Sequence, residues 1–358
     1  MNLDGKAGAF VPRLSLSVVN DGRAMVAKDV TFAYRDLLER ASVLDEAACF
    51  SVRSACEGDE SLCHAVLRLL ESDESGGMPF HLLAFPVLGA LTGDPDPALR
   101  ICVLSRVWWA GAEALDDVMD GEFDTSATGL TTAAATIAGT ACLTLIPQDI
   151  VNRAELPSSL ETVWTRELTR TGLRSAGSQL DDARSTEGDC TWKRSMVTYV
   201  GKSGSPYARD CVMAAALGGA NTEQLRRWRA FGHLFGALRQ LTNDRAPQSP
   251  DQDIDIANGT RTLLLAHAVE ALPRDESRLL VEEYDRASSD RGAREAVWRR
   301  FRQPDLAIPY NKRISVIKNQ ASTLLEDLAE PSDHRDLIQW MVNVSADGAK
   351  LQTSGGAL

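Results

Sequence analysis

Positive charge is scarce in this chain. Its 358 residues carry 38 Lys and Arg against 50 Asp and Glu, a net charge of −12. A general nucleic-acid binder, or a protein held on an anionic membrane, needs a basic face, so both classes are disfavoured. Cysteine pairing has no signature either. There are 7 Cys, an odd number, and no two have C-x-x-C spacing. Cys49, Cys56 and Cys63 recur every seventh residue, as if on one helical face. The plainer reading of these thiols is small buried residues in a reducing cytoplasm, not a metal or redox cluster. His64, His81, His233, His267 and His334 are scattered and form no ligand pattern. The most apolar stretch, Thr131 to Ile146, is short and rich in Thr and Ala, which reads as a buried helix and not a stable membrane span. No basic segment leads into an apolar run near the N-terminus, so a cytoplasmic location is expected. Alternating strand patterns are nearly absent, and no repeat is visible.

Helical periodicity fills the chain instead. Helices are predicted from Asp29 to Arg53, Phe80 to Leu91, Ala98 to Asp120, Ser126 to Leu145, Ser159 to Glu187, Lys193 to Val200, Pro206 to Leu217 and Thr222 to Asp244. Others follow at Thr262–Ala271, Asp275–Ser288, Ala293–Phe301, Ser315–Leu328 and Pro331–Ser345. Ser72 to Pro79 and Arg245 to Gly259 read as loops. The expectation is an all-α chain with one helical domain at 28–346, between an N-terminal arm at 1–27 and a C-terminal tail at 347–358.

One segment carries chemistry. The apolar helix V-L-S-R-V-W-W-A-G-A runs into E-A-L-D-D-V-M-D, placing Asp116 and Asp120 one turn apart on one face, with Asp117 beside them. Like charges at that spacing repel, and the helix dipole disfavours anions at a C-terminus. A cation offsets both, and hard carboxylate oxygens suit Mg²⁺ completed by substrate phosphates. Acidic runs are common in an acidic protein, so the string alone is equally a solvated helix end. Its apolar approach is what suggests carboxylates at the mouth of a greasy pocket.

These residues, with others in order behind them, resemble the trans-type polyprenyl diphosphate synthases of the class I isoprenoid synthase superfamily. The resemblance runs from about Gly76 to Thr262. Asp116–Asp120 is similar to the first aspartate-rich motif, Gln179 and Asp182 to a Q-x-x-D, and Tyr199, Lys202 and Ser203 to a Y-x-x-K-T. Gln240, Asn243 and Asp244 resemble the second metal motif, and Asp255, Gly259 and Thr262 a D-x-x-x-G-x-x-T. The resemblance implies an isoprenoid-synthase-type bundle around a central apolar cavity. It implies Asp116, Asp117, Asp120, Gln240, Asn243 and Asp244 as ligands of three Mg²⁺ ions, with Mn²⁺ able to substitute. Lys202 would meet the diphosphate, with Gln179, Gln240 and Arg261 near it. Trp108, Gly111 and Ala112, below Asp116, would shape the pocket. A floor two helical turns down, at ~5.4 Å per turn, suits farnesyl or geranylgeranyl diphosphate. A homodimer would also follow the family habit.

The departures alter the expected reaction. The family's basic loop for a second diphosphate is here Gly76-Gly-Met78-Pro79-Phe-His81, without its Lys and Arg. No Arg follows Asp120 in G-E-F-D-T-S-A-T-G. The second motif ends at Pro247 in place of an aspartate, and Thr260-Arg261 stands where a Lys is expected. The acidic stretch around Asp251, Asp253 and Asp255 reads first as solvated, second as a substitute ligand set. Binding a second diphosphate without Arg or Lys leaves its charge poorly compensated. The first expectation is therefore a Mg²⁺-dependent terpene cyclase that ionises one allylic diphosphate. The alternative is a prenyltransferase that passes the isoprenyl group to an acceptor, or a divergent synthase. A non-catalytic partner subunit is the rival outside enzymes.

Overall fold

A computed structural model describes residues 27–72, 80–183, 190–244 and 249–352. Within them the regular elements are helices, with no strand. The first are α1 (Ala27–Ala55), α2 (Glu60–Ser72), α3 (Ala84–Thr92), α4 (Leu99–Asp120), α5 (Thr125–Thr128), α6 (Thr132–Leu143), α7 (Leu145–Asn152) and α8 (Ser158–Ala183). There follow α9 (Trp192–Tyr199), α10 (Ser205–Leu217), α11 (Thr222–Asn243), α12 (Ile254–Asn258) and α13 (Leu263–Ala271). The chain closes with α14 (Arg274–Arg286), α15 (Arg291–Phe301), α16 (Pro304–Leu328) and α17 (Asp333–Ala349).

Helix α10 is the axis of the bundle. Every residue from Ser205 to Ala216 is buried, and only Leu217 at its end is not. An Ala-rich strip, Ala214 to Ala216, lets neighbours approach closely, and Pro206 suits the first turn because its missing N–H has no partner there. Around α10 stand α3, α4, α8 and α11, and α11 in turn packs on α16 and α17. Helix α11 opens with a capping box, in which the Asn221 side chain accepts from the Gln224 N–H and Gln224 returns the bond.

Two glycines fix how closely α11 crosses α10. A Cβ on Gly232 would run into the Ala208 backbone, and one on Gly236 into the backbone of Ser203 and Gly204. The inner ends of α4 and α10 are tied by a buried polar knot. Ser105 donates to Asp210 at 2.6 Å, Arg209 donates to the same carboxylate at 2.8 Å, and both charged groups are out of contact with solvent.

Several expectations shift. Cys49 and Cys63 lie on different helices, because α1 ends at Ala55 and Cys56 falls in the turn before α2. The expected helix at Ser126–Leu145 splits after α5, where Gly129 takes a left-handed φ of 70°. Helix α7, unexpected, follows a kink at Thr144. The stretch Thr132–Asn152 is long and apolar enough to cross a membrane, yet it is half buried within the protein and broken between α6 and α7. Pro309 does not stop α16. It removes one hydrogen bond near the helix start, and burial of Leu306, Ala307, Tyr310 and Ile314 outweighs that loss. Helix α17 runs to Ala349, so the tail begins later than 347. The arm at 1–26, most of the Ser72–Pro79 loop, Pro247 and the last six residues lie outside the described residues.

Candidate active site

Four helical segments bring acidic groups to one end of the bundle. Asp116 and Asp120 come from the last turn of α4, which stops where Gly121 takes a left-handed φ of 75°. Gln179 and Asp182 come from the end of α8, Asp244 from the C-cap of α11, and Asp255 from α12. Lys202 lies among them. Its ammonium is 2.9 Å from Asp182 and 3.6 Å from Asp116. Burial works against its charge, but Asp116, Asp182 and Asp120 together outweigh burial and hold its pKa above the ordinary value.

Lys202 reaches this position from an unusual backbone. Val200 to Gly204 form a π turn between α9 and α10, a wider winding that is frequent at functional sites. Gly201 lies directly on Ser178 of α8, where a Cβ would collide with the hydroxyl. Gly204 lies on His233 of α11 on the other side. The turn is thus wedged between the helices that carry Gln179 and Asp182 and the helix that carries Gln240.

Neutral side chains hold the carboxylates in place. Gln179 donates to Asp116 at 2.7 Å, and Gln240 donates to Asp244 at 2.7 Å while accepting from the Ser203 hydroxyl. The Tyr199 hydroxyl donates to Asp244 and accepts from the Leu263 N–H at 2.9 Å. Asn258 donates to Glu122 at 2.8 Å, joining α12 to the turn after α4. Gly259 ends α12 with a φ of 71°, and Thr262 caps α13 by accepting from the Leu265 N–H.

The carboxylates repel one another across the gap. Burial raises Asp244 well above the ordinary carboxylate range, with Asp255, Asp182, Asp116 and Asp253 adding to it. Asp255 is pushed up to about 6 by burial and by Asp253, Asp182 and Asp120, against the pull of Lys202. Burial and the neighbouring Asp116 raise Asp117 and Asp120 as well. Asp116 and Asp244 are therefore close enough to act on each other's charge.

Among the described residues no three His, Cys, Asp or Glu side chains form a ready-made metal cage. Mg²⁺ takes one or two carboxylates and leaves its remaining positions to water and phosphate. Asp116 and Asp120 on one wall, with Asp244 and Asp255 opposite, provide hard oxygen donors with unrelieved repulsion, a set that fits such an ion. The linkage sign is definite. A carboxyl with a folded pKa above its unfolded value costs the fold stability as pH rises through that window, here from about 4 to about 6 for Asp255. Buried imidazoles act in the opposite sense, since His233 is held down near 4 by burial and loses stability as pH falls. The Mg²⁺-induced rise in Tm isolates the carboxylates. It is expected to be several degrees at neutral pH and to shrink toward zero near pH 5, read by differential scanning fluorimetry with Ca²⁺-free buffer. An equal rise at both pH values would remove these carboxyls from the metal site.

Other expected residues fall elsewhere. Asn243 is exposed on the last turn of α11 and makes none of these contacts. Asp117 is exposed, as is Asp120, but it feels only its helix neighbours and Glu122, whereas Asp120 also feels Lys202 and Asp182. Arg261 pairs with Asp285 at 2.7 Å and lines a narrow cleft with Asp182 and Tyr199. Gly111 does not line the pocket: its missing Cβ faces Cys142 and Gly139 of α6, and the absent side chain permits that close crossing. Ala112 is half-buried, one turn below Asp116. Trp108 turns away, its ring over the Arg209 guanidinium at 5.1 Å. Trp109 takes its place. Seven residues make roughly two whole turns, so Trp109 lies nearly beneath Asp116, whereas eight overshoot by roughly a quarter turn. Trp109 packs on Tyr207 at 5.5 Å, and Tyr207 on Phe235 at 5.0 Å, a row of aromatic rings running inward from the carboxylates.

The 251–255 stretch is not a solvated loop. Asp251 is exposed and pairs with Arg291 at 2.7 Å. Asp253 is buried and caps α12, and Asp255 joins the carboxylate group.

No protein-family model matches the sequence, and no curated protein matches it significantly. Solved structures do match in shape. A geranylgeranyl pyrophosphate synthase superposes with a TM-score of 0.76 at 16% identity, covering 89% of this chain and 99% of that one. The geranylgeranyl pyrophosphate synthetase of Pyrococcus horikoshii gives 0.73 at 16%, covering 88% and 98%. The geranylgeranyl pyrophosphate synthase of Corynebacterium glutamicum, complexed with isoprenyl diphosphate and magnesium, gives 0.69 at 16%, covering 85% and 98%. The chain therefore has the fold of the polyprenyl diphosphate synthases, as the order of its motifs implied. At such identities the likeness speaks for the fold, and the activity is argued from the site.

Proposed function

We propose that the protein binds an allylic isoprenyl diphosphate of farnesyl or geranylgeranyl length and transfers its isoprenyl group to an acceptor, with Mg²⁺ as cofactor. One observation carries this reading: the Lys202 ammonium lies 2.9 Å from Asp182 and 3.6 Å from Asp116, within the field of Asp120 and Asp255, and Asp244 in turn feels Asp255, Asp182 and Asp116. Asp116, Asp120 and Asp244 would hold the metal, which supplies the positive charge that compensates the diphosphate as the allylic C–O bond breaks. Lys202 meets the diphosphate as a point charge. Gln179 and Gln240 keep Asp116 and Asp244 oriented, and the Tyr199 hydroxyl holds Asp244 from the far side. Trp109 and Tyr207 face the hydrocarbon, exclude water and present π faces to the developing cation.

The cyclase reading keeps one supporting observation. The turn and loop after Asp120, Gly121 to Leu130, contain no Lys or Arg to hold a second diphosphate, and a row of aromatic rings runs inward from the carboxylates. Incubation with Mg²⁺ and geranyl, farnesyl or geranylgeranyl diphosphate, with and without isopentenyl diphosphate, separates the two by mass spectrometry. Transfer predicts a prenylated product only when an acceptor is supplied. A hydrocarbon or terpene alcohol from the allylic substrate alone would establish the cyclase instead. No release of diphosphate under any condition would defeat both.

A further inference from the structure

Among the described residues, four interior arginines hold a carboxylate or a backbone carbonyl. Arg209 is bound to Asp210, Arg106 donates to the Leu70 carbonyl at 2.8 Å and to Asp45, Arg229 meets Glu167 at 2.6 Å, and Arg302 donates to the Trp298 carbonyl at 3.1 Å. Arg239 has no carboxylate partner among the described residues. Its guanidinium lies over the Phe80 ring at 3.8 Å and beside the Tyr207 hydroxyl, while its Nε–H, like that of Arg229, is enclosed without an acceptor. Enclosing an unpaired charge is expensive, and the guanidinium offers five donors in a planar fork, of which so little is used here. The side chain is half-buried, so an edge of it is reachable.

Its surroundings place it in the reaction space. Gln240, the next residue, orients Asp244. Tyr207 packs on Trp109, which lies beneath Asp116. Phe80 belongs to the segment that corresponds, in the resemblance above, to the loop that would bind a second diphosphate, and that segment has lost its Lys and Arg. Arg239 brings a permanent positive charge to the same ring from the opposite wall. Such a charge opposes a carbocation held nearby unless a ligand neutralises it.

We propose that Arg239 is the seat of an anionic group, phosphate or carboxylate, on the acceptor that receives the isoprenyl chain. The inference rests on the prenyl-transfer reading and adds the chemical class of the second substrate. A fork of N–H donors matches either group bidentately, and the Phe80 and Tyr207 rings hold the fork flat.

Isothermal titration calorimetry tests it. The first site is filled with Mg²⁺ and farnesyl S-thiolodiphosphate, which does not ionise readily. Isopentenyl diphosphate, isopentenyl monophosphate and benzoate are then titrated separately, the first two as phosphate arms and the last as the carboxylate arm. At least one is expected to saturate a second site, and Arg239→Met to weaken that step about tenfold or more while farnesyl thiolodiphosphate binds within about twofold of wild type. If circular dichroism shows that Arg239→Met does not fold, Arg239→Gln, which keeps a donor for Tyr207, is read in its place. No saturable second binding in the wild-type protein, or undiminished binding in the folded variant, overturns the proposal. Failure of the thiolodiphosphate itself to bind would instead sink the prenyl-transfer reading.

Discussion

Asp244→Asn is expected to lower kcat/KM on the order of 10³-fold or more, yet leave the metal-free protein at least as heat-stable as wild type at neutral pH. The two halves of this result come from the same cause. Asp244 is pressed by Asp255, Asp182, Asp116 and Asp253 and is partly enclosed, so its negative charge is a burden on the empty fold. Asn removes that burden. Its carbonyl can still accept from Gln240, and its amide can donate to Tyr199, whose hydroxyl then accepts twice, from Asn and from the Leu263 N–H, and loses the acceptor for its own proton, a smaller cost than the crowded charge. What Asn removes is the anionic oxygen that holds a divalent cation, so the Mg²⁺-induced rise in Tm should fall along with activity. Steady-state kinetics beside thermal denaturation decide the point. A variant that loses stability and activity together would mark Asp244 as structural.

The second large effect is steric. Gly236→Ala is expected to cost about 3 kcal/mol or more, since the new methyl meets the Ser203 carbonyl and the Gly204 backbone, neither of which is the free end of a flexible side chain. Urea unfolding measures it. The cost to turnover should exceed what the lost stability explains, because pushing α11 from the π turn separates Gln240 from Ser203 and Asp244 from Tyr199. Gly172→Ala in α8 is the matched control. Nothing lies within 4 Å of its added methyl, so the same change there should stabilise by about 0.5–1 kcal/mol. If both variants unfold alike, the close crossing has no special role.

Much of this was legible before the fold was known. The Asp116–Asp120 helix end, the Q-x-x-D at Gln179 and the Y-x-x-K at Lys202 are local patterns, and their order along the chain implied both the all-helical class and the meeting of the two walls. What the sequence hid depends on geometry that helical spacing does not encode. The choice of Trp108 over Trp109 is the exception: seven residues and not eight make two turns, so spacing alone favours Trp109, and the Arg209 contact of Trp108 agrees. Gly111 looks like space in a pocket until α6 fills that space. Asp255 sits in a polar stretch with two prolines, and only the cap of Asp253 on Ile256 winds it into α12 and aims it inward. The helix expected from Ser315 begins at Pro304 because Leu306, Ala307, Tyr310 and Ile314 are buried along its first turns, and that burial is not visible in local propensity.

The π turn has one more implication. It is a single surplus residue between two helices, and it sets the rotational phase of everything after it. Were the segment to rewind as ordinary α-helix at its present length, the surplus residue would turn α10 by about 100°. Asp210 would leave Ser105, Tyr207 would leave Trp109, and Lys202 would no longer bridge Asp116 and Asp182. Loss of the wide winding, with every recognisable residue retained, is enough to uncouple the ammonium from the carboxylates it serves.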